Sequence, residues 1–219
     1  MVVFDMAGTT VDENNLVYKI LHNTLLDEGF ECSLDLVLAL GAGKEKRNAI
    51  VDVLKEIGEI LTEDEIDNLF QLFLINLNKA YHFLDVKPQK GAEDLFKYLK
   101  ESNKLVVLNT GYNAEIATLL LTKLNWEVGN QIDALITASD VTIGRPKPDM
   151  IFLAMNQFDI TNADEVAKIG DSIIDIEEGF NAGCGLVVGI TTGAHTYSQL
   201  VSAKPDIIVS SLLELKLLL

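Results

Sequence analysis

Several large protein classes are excluded by what this chain has little of. Its 219 residues include only two cysteines, Cys32 and Cys184, too few for a disulfide scaffold and without any metal-ligand spacing. Two reduced thiols are therefore expected. Basic residues are scarce: 17 Lys and Arg stand against 33 Asp and Glu, a formal net charge of −16. A surface that acidic repels phosphate backbones, so nucleic acid is not an expected partner. Any anionic ligand would have to find locally positive surroundings, from a metal, a few Lys or Arg, and helix N-termini. No apolar run approaches the ~18–20 residues that span a bilayer, so no membrane partner is expected. No basic stretch precedes an apolar one at the N-terminus, which argues against a secretory signal and for a cytoplasmic location. The leucine-rich end, Leu212 to Leu219, is broken by Glu214 and Lys216 and reads as a final packed helix.

What is present describes a globular protein with a real core. Apolar residues make up 48% and charged residues 23%, enough for one domain plus a sizeable insertion. Met1 to Phe4 is a short apolar run ending at Asp5, the pattern of a buried strand that delivers a carboxylate to its C-terminal end. From about Asn14 to Lys90 the periodicity is helical. One helix is expected from Asn15 to Glu28, stopped by Gly29. A second is capped by Ser33 and ends before Gly41-Ala42-Gly43, and a third runs from about Lys44 to Ile57. A fourth starts at Thr62, where Thr62-Glu63-Asp64-Glu65 has capping-box spacing, and continues to about Phe83. This stretch fits either an all-helical N-terminal domain or a helical cap inserted after the first strand.

Beyond Gly91 strands and helices alternate. Strands are expected at Leu105–Leu108, Ala134–Thr137, Val166–Ile169, Leu186–Ile190 and Ile207–Val209, with helices between them. That alternation predicts a parallel sheet with helices on both faces, whose ligands bind at the C-terminal strand ends. Four such ends are expected to carry polar residues: Asp5, Thr110, Arg145 in Gly144-Arg145-Pro146-Lys147-Pro148, and Gly170-Asp171 with Asp175 a helical turn later. Any one of them alone reads as a cap or turn residue; four in order are a far more specific pattern.

Phe4-Asp5-x-x-Gly8-Thr9-Thr10, Thr110-Gly111, Arg145-Pro146-x-Pro148 and Gly170-Asp171-x-x-x-Asp175 resemble the four ordered motifs of the haloacid dehalogenase superfamily. The resemblance spans Met1 to about Gly193. It implies an α/β fold: a Rossmann-like core of residues 1–13 and 89–219 with an inserted all-helical cap at 14–88. It also implies a magnesium-dependent hydrolase. Asp5 would be the nucleophile that forms an aspartyl-phosphate. Mg2+ would be held by Asp5, the Ala7 carbonyl, Asp171 and, directly or through water, Asp175. Thr110 would donate to a phosphoryl oxygen, and Arg145 would anchor the nucleophile by charge-assisted hydrogen bonds.

Most phosphatases of that superfamily carry a second Asp two residues after the nucleophile, where it protonates the leaving alkoxide. Here that position is Ala7. Asp5-Met6-Ala7-Gly8-Thr9-Thr10-Val11-Asp12 resembles instead the first motif of the phosphonatase branch, which cleaves a carbon–phosphorus bond. In that branch a cap lysine first converts the substrate aldehyde to an iminium. The resemblance places this lysine at Lys44, in Gly41-Ala42-Gly43-Lys44, with Gly111, Tyr112 and Arg47 as further substrate-binding positions. Arg47 stands where the branch has a histidine, and Leu40 where it has a methionine. The plainer reading of Lys44 is a solvated lysine at a helix start. The expected substrate is a small phosphonate or phosphate ester. The alternatives are a small-molecule phosphomonoesterase of the phosphoglycolate or sugar-phosphate type, and a catalytically silent binding protein with the same fold. A homodimer is left open.

Overall fold

A computed structural model describes residues 1–83 and 86–219, apart from the side chain of His82. Leu84 and Asp85, inside the expected insertion, lie outside the described residues. The chain runs β1 (Val2–Phe4), β2 (Val11–Asp12), α1 (Leu16–Asp27), α2 (Leu34–Gly41), α3 (Lys46–Glu56) and α4 (Glu63–Phe83). It continues through β3 (Lys87–Pro88), α5 (Ala92–Glu101), β4 (Val106–Thr110), α6 (Ala114–Leu124), β5 (Ala134–Thr137) and α7 (Asp149–Gln157). It ends with β6 (Ala167–Gly170), α8 (Ile173–Ala182), β7 (Leu186–Ile190), α9 (Tyr197–Ser202) and β8 (Ile207–Val209).

Six strands form a parallel sheet in the order β5-β4-β1-β6-β7-β8, so the first strand lies inside it, between β4 and β6. The short run Val2-Val3-Phe4 is apolar at every position because both faces of the sheet are covered. Val2 and Phe4 join the cluster containing Leu108, Ile169 and Phe96, and Val3 joins the one containing Val107, Met150 and Ile151. Trp126 is a packing residue, its ring edge-on to Phe96 at 5.1 Å and its indole N–H donating to Glu93 at 3.0 Å. The expected fold class, a Rossmann-like parallel sheet with helices on both faces and an all-helical insertion, is what the chain adopts. Among the described residues no helix is long and apolar enough to cross a membrane.

Helices α1 to α4 pack on one another, α1 against α4 and α2, and α3 against α2 and α4. The Thr62–Glu65 capping box forms, Glu65 N–H donating to the Thr62 hydroxyl and Thr62 N–H to Glu65 Oε2. The sequence pattern missed the ribbon that joins insertion to core: β2 and β3 pair antiparallel, Val11 opposite Pro88 and Asp12 opposite Lys87. Two residues per strand are too few for an alternating pattern to register. We propose the bounds 14–88 for the cap on this pairing.

One helix start differs from expectation. Helix α3 starts at Lys46 rather than Lys44, because the Glu45 carboxylate caps it, accepting from the N–H groups of Arg47 and Asn48 at 2.9 and 3.0 Å. Lys44 therefore stays in the loop and Lys46 becomes the first helical residue. The C-terminal leucines form the expected final packed helix, of 3-10 type, at Leu212–Leu217. Its three-residue turn puts Leu212 and Leu215 on one buried face against α5. The cysteines are free, and burial pushes the Cys184 thiol up to about 12.

Candidate active site

Strand register brings the polar residues together. Phe4 pairs with Leu108 on one side and Ile169 on the other, so Asp5, Thr110 and Asp171 stand at neighbouring strand tips. The Asp5 N–H donates to the Ile169 carbonyl at 2.9 Å, which fixes the turn as it leaves the sheet. Ser172 caps α8 and donates to Asp175 Oδ2 at 2.5 Å, holding Asp175 in the first turn of that helix. Arg145 does not come from a strand end. It lies in the loop ahead of α7, beside a cis Arg145–Pro146 bond, and reaches over the sheet from there.

Arg145 is the hub of a buried ionic cluster. Its guanidinium donates to Asp5 Oδ1 at 2.6 Å and to the backbone and side-chain oxygens of Asn109 at 2.7 and 2.6 Å. It also pairs with Asp175 at 2.9 Å and Glu178 at 3.0 Å. Lys168, wholly buried in β6, lies 3.0 Å from both Asp175 and Glu178 and donates to Asn109 at 2.6 Å. Burial works against the charge of Arg145, but Asp175, Glu178 and Asp5 together hold its pKa above the ordinary value. Burial likewise works against ionised Asp175, and Arg145 and Lys168 outweigh it, leaving that carboxyl below its ordinary range.

Asp5 and Asp171 are in the opposite condition. Burial, and then the nearby charge of Asp175, raises Asp5. Burial, Asp5 and Asp175 raise Asp171 well above the usual range, against one hydrogen bond from Ala194 N–H at 2.6 Å and one from Thr9 at 3.2 Å. Asp5, Asp171 and Asp175 can each direct an oxygen so that all three lie within 4.8 Å of one another. A buried, all-oxygen set in which Asp5 and Asp171 both stay above the ordinary carboxylate range is a donor set that a hard divalent cation fits, since the cation would relieve their repulsion.

The remaining expected residues divide. Thr110 is buried, its hydroxyl accepting from Tyr112 N–H at 3.2 Å. Gly111 lies against the cap loop, and Tyr112 is buried with its hydroxyl donating to Glu13 at 2.8 Å. Ala7 occupies the turn after Asp5, bridged to Val11. Lys44 directs its amine at Asp52 on α3, at 2.5 Å, and Arg47 pairs with Glu63 and Asp67 at 2.6 Å each. Neither side chain joins the Asp5 cluster. Sequence reasoning overlooked Glu13 and Lys168, both buried, and took Lys46, also buried, only as a cationic neighbour of Lys44. Lys168 had a signal, a lysine inside the apolar strand Val166–Ile169. Glu13, which also accepts from Tyr81, had none.

Residues 2–188 match the family model described as haloacid dehalogenase-like hydrolase. The chain belongs to that family and is a hydrolase. Within it, the chain is similar to phosphonoacetaldehyde hydrolases. It is 30% identical over 207 residues to the one from Lactiplantibacillus plantarum, covering 89% of this chain and 76% of that one. It is 28% identical over 210 residues to the one from Bacillus cereus, covering 88% and 76%. A solved phosphonoacetaldehyde hydrolase-like protein from Oleispira antarctica superposes with a TM-score of 0.86 at 23% identity, covering 99% of this chain and 90% of that one.

Proposed function

We propose that the chain is a Mg2+-dependent, phosphonatase-like hydrolase that cleaves the carbon–phosphorus bond of a small phosphonate carrying an aldehyde. The observation that carries this reading is Ala7. The turn that would hold a second carboxylate two residues after Asp5 holds a methyl group instead, so the leaving group has no side-chain acid there. A reaction whose leaving group needs an electron sink rather than a proton suits such a site.

In this reading the substrate carbonyl condenses with a lysine amine of the cap, releasing water. Asp5 then attacks phosphorus through Oδ2, which accepts no hydrogen bond among the described residues, while Arg145 holds Oδ1. The C–P electron pair passes into the protonated imine, giving an enamine. Protonation of the enamine and hydrolysis of the resulting iminium release acetaldehyde and restore the amine, and a further water hydrolyses the Asp5 acyl phosphate to free carboxylate and inorganic phosphate. Thr110 donates to a phosphoryl oxygen from the adjoining strand tip. The metal would be held by Asp5, Asp171, the Ala7 carbonyl and, directly or through water, Asp175. When bound it supplies positive charge that screens these carboxylates from an anionic phosphoryl group.

With phosphonoacetaldehyde and Mg2+, phosphate and acetaldehyde are expected in equal amounts. Release of phosphate from phosphoglycolate or a sugar phosphate with no action on the phosphonate would replace this reading with a phosphomonoesterase. Inertness towards all of them would leave a binding protein. The metal has its own test. Saturating Mg2+ should raise the melting temperature by several degrees, since a ligand at ~100 times its Kd stabilises by about 2.7 kcal/mol. Asp171→Asn should lose most of that shift, and an unreduced shift would remove Asp171 from the metal site.

A further inference from the structure

We infer that Lys46, not Lys44, presents the amine that condenses with the substrate carbonyl; this rests on the imine reading above. The loop between α2 and α3 lies directly on the catalytic turns. A Cβ on Gly43 would sit 2.4 Å from Ser172 Oγ, and a Cβ on Gly111 would sit 2.9 Å from the carbonyl oxygens of Gly43 and Lys44. Only bare backbone on both sides permits that approach. The Gly43 N–H donates to the Tyr18 hydroxyl at 3.4 Å. The loop is thus applied to the turns after β4 and β6 by its backbone, and the question is which side chain it sends inward.

Lys44 sends its side chain outward. Its carbonyl faces Gly111, but its amine ends against Asp52 on the cap's own helix, in a half-buried ion pair. Lys46 does the reverse. It is 5% exposed, at the first turn of α3, and its amine donates to the Lys44 carbonyl at 2.6 Å. It lies over the rings of Tyr18 at 5.1 Å and Tyr112 at 5.4 Å. Tyr18 belongs to the cap, and Tyr112 follows Thr110 at a catalytic strand tip, so the amine sits at the seam between cap and core. Among the described residues it forms no ion pair. Two aromatic faces that hold an ammonium also hold the iminium that would replace it, whereas the Lys44 amine is engaged by the Asp52 carboxylate.

The electrostatic surroundings agree. Burial lowers the Lys46 pKa to about 8, against the pull of Asp5, Glu45 and Glu13, with Arg145 opposing its charge from the core side. A buried amine with no ion pair among the described residues keeps a useful neutral fraction at mildly alkaline pH. Condensation joins Lys46 Nζ to the aldehyde carbon and expels the carbonyl oxygen as water. The C–P pair later flows back towards that nitrogen.

Borohydride reduction during turnover of phosphonoacetaldehyde, followed by fragmentation of the digested protein in a mass spectrometer, locates the amine. The expected result is a reduced adduct on Lys46. An adduct on Lys44 would overturn this inference and leave the imine reading standing. No adduct on any lysine would overturn both. Lys46→Arg keeps the positive charge and is expected to reduce adduct yield at least twentyfold while retaining the Mg2+-induced melting shift, which reports an intact core. A fully trapped Lys46→Arg protein would also overturn the inference.

Discussion

Asp5→Asn is expected to lose at least about 10^3-fold in turnover while melting no lower than the parent protein. The activity follows from the proposed covalent step, since an amide oxygen is a far poorer nucleophile towards phosphorus than a carboxylate. The stability follows from the electrostatics. Burial, and then Asp175, raises the pKa of Asp5 above its unfolded value. A carboxyl raised on folding contributes stability below its unfolded pKa and loses that contribution as pH rises through the folded value. At neutral pH ionised Asp5 is therefore a cost, and neutral Asn removes it. The Asn side-chain oxygen still accepts from Arg145, so no donor is stranded. Phosphate release and thermal melting without metal, side by side, check both halves. A variant that melts clearly lower would refute the crowded-carboxylate account even if it were inactive.

Arg145→Met is expected to lose about 3–5 kcal/mol of folding stability, the range found when one partner of a buried ion pair is removed. The guanidinium is 1% exposed and contacts Asp5, Asp175, Glu178 and both oxygens of Asn109. Without it, Lys168 alone pairs with Asp175 and Glu178, and Asp5 loses its ion pair. Urea denaturation at neutral pH measures the loss, and a change under about 1 kcal/mol would mean that these groups are not ionised as the contacts imply. The deficit should have a pH signature. Asp175 is depressed on folding, so its contribution is present above its unfolded pKa and lost as pH falls through the folded value. The gap between parent and variant should accordingly narrow on acidification below the ordinary carboxylate range.

The parts of this site that could be read in the sequence are those where local pattern and chemistry coincide. Asp5 and Asp171 each follow an apolar run, and a strand that delivers a carboxylate to its end leaves that mark whatever the tertiary context. Thr62 and Glu65 mark a helix start because both halves of the capping box lie in one turn. Arg145 was found by its neighbours in sequence rather than by its element. It reaches the cluster from a loop, and side-chain length rather than strand register brings it there. The cap loop was harder. Whether Lys44 or Lys46 faces the core depends on which residue caps α3, and Glu45 is an uncommon cap that no Ser, Thr, Asp or Asn signal announces. A shift of two residues along a helix start turns a side chain through about 200°, enough to exchange inside for outside. Glu13 was invisible because its partners, Tyr81 and Tyr112, are remote in sequence and meet it only after cap and core have packed.

The ribbon of β2 and β3 has a consequence for how this architecture can change. Val11 pairs with Pro88, Asp12 with Lys87, and Gln89 N–H donates to the Thr10 carbonyl at 2.8 Å. The excursion thus departs and returns through one pinned doorway, whatever lies between. Once such a doorway is fixed, doubling the length of chain outside it costs only about 0.6 kcal/mol in closure entropy. The helical part can be lengthened, trimmed or re-sculpted at that small cost while the turn bearing Asp5 keeps its geometry.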